Sequence, residues 1–524
     1  MKDKGIRKSV FIPTFLIVLG SGIIGLVNNQ ILISNFQKAF NWSYTNLSWL
    51  FQLIFLVVLI LCLLLTFTKK GNIRFGGPDA KAKYPFWQWF AMTLTGGLGA
   101  TIVSSGISQP IIFMESVWGE LEGYQIEPGS AEAVLFGLGR TFHEWSFVPY
   151  AVFGVCGVCI AYTCFNRKKS LAVSNTLEPI FGEKSHNKVF ATIVDCISVL
   201  ALALGSVGTL GTLLGLVTVC LQNIYNIPRS TTMMFIIMVF STILYLSSSL
   251  SGVDKGIRFF ASLNFKFYVG LMVFVVIFGR SAAYIMNTAT SSIGYWMQKF
   301  PLWMMDTGSI GGERLVKWWT IYTWAFWIAY APVTSVFLAQ ISYGRTIREF
   351  LIVNWIMPSV FAIVWFSLFG STAMNWQLNG VANIAGAIAK DGTYAGIWTF
   401  MQNLPLYKIL IPINLFIMFI SFSTSADNGV TVLSALCMKG KKIGDEAPAV
   451  LKIIWGAAIG LLSFLLMAFA SGAKGNDGVR YMVVALGSVI AILVIFMIAS
   501  LIKMLFIKPI KEEEELATVK GEVE

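Results

Sequence analysis

The sequence predicts an all-α membrane protein with about twelve transmembrane helices. Three observations predict it. Of 524 residues, 56% are hydrophobic and only 12% charged, with a mean hydropathy of +0.73; soluble domains are about 25% charged. The apolar residues gather into long runs, and a hydrocarbon core of about 30 Å needs about 20 of them per helix. The charged residues stand between the runs. This composition excludes a soluble enzyme, a disordered chain and a nucleic-acid-binding domain.

Apolar runs at 10–33, 47–67, 86–113, 134–165, 190–222, 231–250, 260–288, 316–341, 348–371, 408–436, 448–472 and 479–507 are each read as a span. The formal charge is +12 and the sequence pI about 9.3. Its placement follows the positive-inside pattern rather than a nucleic-acid stripe. Basic residues fill the N-terminus (Lys2, Lys4, Arg7, Lys8) and the second-to-third loop (Lys69, Lys70, Arg74, Lys81, Lys83). They also fill the fourth-to-fifth loop (Arg167, Lys168, Lys169, Lys184, Lys188) and the loop after span ten (Lys439, Lys441, Lys442). The third-to-fourth loop has no Lys or Arg and carries Glu115, Glu120, Glu122, Glu127 and Glu132. Both termini are therefore expected in the cytoplasm, with the chain multi-pass in the plasma membrane.

Residues 289–315, with Tyr295, Trp296, Phe300 and Trp303, read as an amphipathic segment at the interface. Residues 372–407 include a short helix near 379–402. The tail from Lys508 is too short for a domain, and the first run is too long for a cleaved signal peptide. The seven cysteines lie in or beside apolar runs and read as small packing residues, Cys156 and Cys159 included. With only His143 and His186, a histidine-rich metal site is excluded.

The informative places are spans that disobey helix chemistry, because backbone freed at bilayer depth must be buried in protein or line a cavity. Span three holds Thr95, Gly96, Gly97, Leu98 and Gly99, then Ser104, Ser105, Ser108, Gln109 and Pro110. Two accounts fit: close helix packing through small residues, or a broken helix that offers amides and carbonyls to a ligand. Span eight reads Trp324-Ala325-Phe326-Trp327-Ile328-Ala329-Tyr330-Ala331-Pro332. At 100° per residue Phe326, Trp327 and Tyr330 share one face. That face is either packing or a cation–π cage for a quaternary ammonium group, which has no N–H to donate and is held by ring faces. Span four carries Glu144 beside Trp145, Tyr150 and Phe153. A carboxylate inside a span has a partner, a function, or an interfacial position. Span ten carries Ser423, Thr424, Ser425, Asp427 and Asn428. These oxygens either suit a hard cation such as Na⁺ or bond back to their own helix.

Together these residues resemble the betaine/carnitine/choline transporter (BCCT) family, over nearly the whole chain. The most specific stretch runs from Tyr322 to Glu349: Trp324-Ala325-Phe326-Trp327, Pro332, then Phe337-Leu338-Ala339-Gln340-Ile341-Ser342-Tyr343-Gly344-Arg345-Thr346-Ile347-Arg348-Glu349. Phe142-His143, Gly182-Glu183-Lys184 and Thr424-Ser425-Ala426-Asp427 match further family motifs. The resemblance implies a LeuT-like fold: two leading helices (residues 1–84 with the N-terminus) and inverted five-helix repeats at 85–288 and 316–507. The interfacial segment 289–315 lies between the repeats, and a short cytoplasmic tail, 508–524, follows them. It also implies a homotrimer, with substrate held between broken spans three and eight.

Residue by residue, Trp327 and Tyr330 match cage positions, and Phe326 stands where the family has a Trp. Trp145 matches the cage Trp of span four, with Glu144 as an extra residue before it, and Tyr150 and Phe153 match further aromatic positions. Amides of the Gly96–Gly99 stretch, Gly97 and Gly99 among them, would meet a substrate carboxylate. Sodium-coupled relatives carry a Thr-Ser pair matching Thr424 and Ser425, completed by backbone near Thr95 and Leu98. Sodium-independent antiporters place an Arg and a Met where Asn264 and Thr334 stand here. No acidic residue stands in the span-three motif, as it does in choline carriers. The expectation is a secondary transporter, sodium-coupled by alternating access, for a betaine-type zwitterion such as glycine betaine. A sodium-independent carnitine- or betaine-type antiporter is the alternative. The short tails favour nutrient uptake over osmotic regulation. A membrane enzyme lacks a metal cluster or phosphate loop, and a channel lacks a repeated pore loop.

Overall fold

A computed structural model describes residues 5–509, except 97–98, 252–257, 280–281, 310–311, 444 and 469–473. Among the described residues the chain is helical, with only two isolated bridges, Ile6 to Met438 and Arg74 to Thr346. The helices are α1 Lys8–Phe67, α2 Phe86–Gly96, α3 Gly99–Glu115, α4 Ala131–Trp145, α5 Phe147–Ala161, α6 Glu178–Phe181, α7 Lys188–Tyr225, α8 Thr231–Ser251, α9 Arg258–Phe278 and α10 Ala282–Met304. There follow α11 Glu313–Leu315, α12 Tyr322–Gln340, α13 Ile347–Leu351, α14 Met357–Leu378, α15 Ile384–Asp391, α16 Ala395–Gln402, α17 Tyr407–Leu436, α18 Ala449–Ala468 and α19 Lys474–Ile502. A π-helical segment, Val316–Ile321, joins α11 to α12.

Among the described residues nine helical stretches are long and apolar enough to cross a membrane, and the bent pair 313–332 and 334–340 makes a tenth. The two remaining apolar runs are helical too. Run 10–33 forms the first part of α1, which breaks at Asn28 (φ −154°, ψ 84°). The Asn28 carboxamide oxygen accepts from Ile31 N–H (3.1 Å), so it caps the helix that resumes there. Run 86–113 comprises α2 and α3, on either side of residues 97–98. The run read as 260–288 divides: α9 stops at Phe278, and α10 carries the amphipathic sequence as a separate helix. The region near 379–402 forms two short helices, α15 and α16.

Helix starts follow local chemistry. Ser130 accepts from Ala133 N–H at the start of α4 (3.2 Å), and Asn187 accepts from Val189 N–H at the start of α7 (2.9 Å). Thr346 and Glu349 form a reciprocal capping box on α13.

The stretch that carries the resemblance is largely a clamp. Gly344 has φ +76°, and a Cβ there would lie 2.3 Å from the Lys81 backbone. Arg345 donates to Tyr84 O (2.7 Å) and covers the Trp89 ring at 4.6 Å. Arg348 donates to Thr66 O (2.8 Å), Thr68 O (3.0 Å) and Asn72 Oδ1 (2.8 Å). The end of α12 is thus tied to the loop after α1.

Loops segregate by charge. Arg7 pairs with Asp195 (2.6 Å), and its N–H bonds Cys437 O (2.8 Å). Leu171 N–H reaches Lys441 O (2.7 Å), so the basic segments gather at one end. At the other end the acidic loop meets the start of α12's arm through Glu120 and Trp319 (3.2 Å).

Helix α12 lies at the centre, packed on α5, α19 and α7, while α14 packs on α3 and α4, and α17 on α7 and α8. Gly487 of α19 meets α12 backbone to backbone. A Cβ there would sit 2.4 Å from Ala325 O. Gly487→Ala should therefore destabilise the bundle by about 1–3 kcal/mol, read as a lower Tm of the detergent-solubilised protein. An unchanged Tm would mean that α12 and α19 do not approach so closely.

Candidate functional site

The break in span four brings its aromatic residues against α12 of span eight. Span four is interrupted at Ser146 (φ −118°, ψ −126°), between α4 and α5. That break places Trp145 at a helix end, with Tyr150 and Phe153 one and two turns into α5. All three rings surround Trp327 of α12. Trp327 is fully buried, 4.7 Å from Tyr150 (69° between planes), 4.8 Å from Phe153 (43°) and 6.2 Å from Trp145 (67°). Phe366 of α14 adds a ring behind Trp145 (6.2 Å). Tyr150 Oη and Trp327 Nε1 are buried and have no hydrogen-bond partner. Two such donors in one ring cluster are suited to an acceptor that enters with a ligand. The rings touch, so a bulky ammonium group needs them to part.

Phe326 and Tyr330 do not join this box. They pack on each other (4.7 Å), with Tyr322 beside Phe326 (6.2 Å). Tyr330 Oη is held by Thr209 Oγ1 of α7 (2.6 Å) and by Gly205 O. A Cβ at Gly205 would lie 2.9 Å from the Tyr330 ring, so glycine there makes the approach possible. Residues i and i+4 of one helix share a face, and Tyr330 on that face is bonded to α7. The single aromatic face expected on span eight is thus divided between two partners.

Gly97 and Leu98 lie outside the described residues. Gly99 opens α3, and Thr95 is buried near the end of α2 with its hydroxyl donating to Ala91 O (2.7 Å). On α17 the Thr424 hydroxyl donates to Ile420 O (2.8 Å). Ser425 is half-buried. The back-bonding account of this run is thus seen at Thr424. A hydroxyl that gives its proton to a helix carbonyl keeps oxygen lone pairs for a cation. Ser423 Oγ is buried with no partner, so the run retains unused oxygen. Asp427 is occupied, accepting from Ser248 (2.5 Å) and Thr431 (3.2 Å). Asn264 of α9 donates to Ser421 Oγ (2.8 Å), one turn before Thr424. The hydroxyl oxygens of Thr424 and Ser425 are hard donors of the kind that Na⁺ takes.

Glu144 is fully buried and paired. Its Oε1 lies 3.7 Å from Arg140 Nε and accepts from Thr320 Oγ1 (3.0 Å). Its Oε2 accepts from Gln109 Nε2 (2.7 Å). Gln109 and Thr320 are far from Glu144 in sequence, and nothing in the chain marks them as its partners. His143 beside it is a packing residue, accepting from Trp296 Nε1 (3.4 Å) and ringed by Phe300, Trp303 and Trp324.

A cavity of about 670 Å³ opens at the acidic-loop end. The sequence reading did not anticipate it. Its wall includes Trp118 and Trp319, stacked at 6.3 Å, with Glu120 accepting from both. Burial pushes the Glu120 carboxyl up from its ordinary value. Arg229, Arg314 and Lys390 supply the opposite charge.

A bundle of membrane-length helices with a span interrupted beside a buried aromatic box, and with a polar cavity at the acidic-loop end, is the build of a solute transporter. The sequence profile of the betaine/carnitine/choline family transporters (BCCT) matches residues 9–509, and the chain belongs to that family. It is similar to the glycine betaine transporter OpuD of Bacillus subtilis, 29% identical over 94% of this chain and 93% of that protein. It is similar also to the ectoine/hydroxyectoine transporter of Virgibacillus pantothenticus (27%, 96% and 98%). The high-affinity choline transport protein of Escherichia coli is 27% identical over 91% of this chain and 68% of that protein.

Proposed function

We propose that the chain is a secondary active transporter for a betaine-type zwitterion, glycine betaine or a close analogue, coupled to sodium by alternating access. The observation that carries this reading is the box around Trp327. Its rings can attract a quaternary ammonium group. The unpartnered Tyr150 Oη and Trp327 Nε1 can donate to a carboxylate on the same molecule. Arg140 offsets Glu144 beside the box, so the site has little net charge, and that favours a zwitterion over choline. The names of the relatives agree with small betaine-like solutes.

The coupling ion is assigned to Thr424 and Ser425, with backbone at Thr95 and Leu98. The unpaired Ser423 oxygen and the hydroxyl geometry support it. At the position of the antiporters' Arg, Asn264 bonds α17 instead, which favours symport. The repeat organisation at 85–288 and 316–507, a homotrimer, and the plasma membrane with both termini cytoplasmic belong to the same reading. The gathering of the basic segments at one end supports that orientation.

The test is uptake of labelled glycine betaine, carnitine and choline into proteoliposomes, with and without a sodium gradient. Sodium-driven uptake of glycine betaine is expected. Thr424→Ala with Ser425→Ala should raise the sodium concentration for half-maximal uptake more than tenfold. Uptake that ignores sodium but needs an internal counter-substrate would make the protein an exchanger and remove the ion assignment.

A further inference from the structure

Glu144 is the residue that the family motif does not explain. It is the common acceptor of two hydrogen-bond chains whose directions are fixed by chemistry. The Trp145 indole can only donate, and its Nε1 donates to Gln109 Oε1 (2.7 Å). The Gln109 amide must then turn its nitrogen the other way, toward Glu144 Oε2 (2.7 Å). A carboxylate can only accept, so it holds that orientation. On its far side Arg140, which can only donate, gives to Thr320 Oγ1 (2.6 Å), and Thr320 gives to Glu144 (3.0 Å). Every member is buried. The geometry points to Glu144, acting through Gln109, as a positioning residue for Trp145, fixing the indole that forms one wall of the box and so setting how tightly the box holds its ligand. The break at Ser146 makes this necessary: Trp145 is the last residue of α4, and the continuous helix that would otherwise restrain it ends there. The ligand part of the inference rests on the functional reading above; the positioning part does not.

The test separates the two. The full-length protein is labelled with 5-fluorotryptophan in detergent, and the Trp145 ¹⁹F resonance is assigned by its loss in Trp145→Phe. In Gln109→Met the indole loses its acceptor, and the resonance should shift or split. Two charge-neutral pairs follow. Arg140→Met with Glu144→Met removes the acceptor for the Gln109 amide, and the resonance should move as in Gln109→Met. Arg140→Met with Glu144→Gln keeps a carbonyl acceptor, and the resonance should stay near its wild-type position. In uptake assays Gln109→Met and the Met/Met pair should raise the KM for glycine betaine about tenfold, while the Met/Gln pair stays within about threefold. A Trp145 resonance that ignores both Gln109→Met and the Met/Met pair overturns the inference. If the resonance follows the expected pattern but glycine betaine neither perturbs it nor is taken up, positioning stands and the substrate reading falls.

Discussion

Trp327→Leu should raise the KM for glycine betaine uptake by about 30-fold or more while the protein still reaches the membrane. Among the described residues, Trp327 is the one ring that contacts Tyr150, Phe153 and Trp145 together. A desolvated cation–π contact contributes about 2 kcal/mol, and about 1.4 kcal/mol is a factor of ten in affinity. Removing the indole also removes a buried donor and loosens the other three rings. Trp327→Phe keeps a ring and loses only Nε1 with part of the quadrupole, so its KM should rise less, by about three- to tenfold. Uptake kinetics normalised to protein in the membrane check both. An unchanged KM in Trp327→Leu would remove the box from the substrate path.

Much of this was legible in the chain. The apolar runs and the alternation of loop charge are periodic features, and each run became helix. Trp327 could be named as a large ring on the aromatic face of span eight, and Trp145, Tyr150 and Phe153 through the resemblance to the family's motif. Phe326 and Tyr330 could be named on that same face, yet Tyr330 is bonded to α7 and Phe326 packs on Tyr330. Periodicity says which residues share a helix face, not which neighbour that face meets. The clamp built by Gly344, Arg345 and Arg348 reads in sequence as a motif without a mechanism. Its partners, from Thr66 to Tyr84, lie more than 250 residues away. A separation of 176 residues likewise hid Thr320 from Glu144.

In the polar run of span ten, the local-bonding account does not exclude the proposed ion site. Thr424 bonds its own helix, as hydroxyls in apolar helices do. That bond orients the oxygen rather than consuming it, so a cation-binding role survives the local hydrogen bond.

Glu144→Ala alone should be the most destabilising single change in this region, by about 3–5 kcal/mol. Arg140 and Glu144 are both 0% exposed. Arg140 Nε and Nη1 have no hydrogen-bond partner, so the carboxylate 3.7 Å away and the Trp303 ring at 5.1 Å are what offset the charge. Without Glu144 a guanidinium remains in the bundle with one hydrogen bond, to Thr320. It cannot shed its proton to escape. Removing both charges avoids that penalty, because two apolar side chains of similar volume replace a desolvated pair at little net cost. Arg140→Leu with Glu144→Leu should therefore recover most of the Tm lost in Glu144→Ala, measured on detergent-solubilised protein by fluorescence-detected size exclusion after heating. A Glu144→Ala protein as stable as wild type would mean that water or another carboxylate reaches Arg140. A double variant no more stable than the single would mean that the two residues hold the fold by something other than their charges.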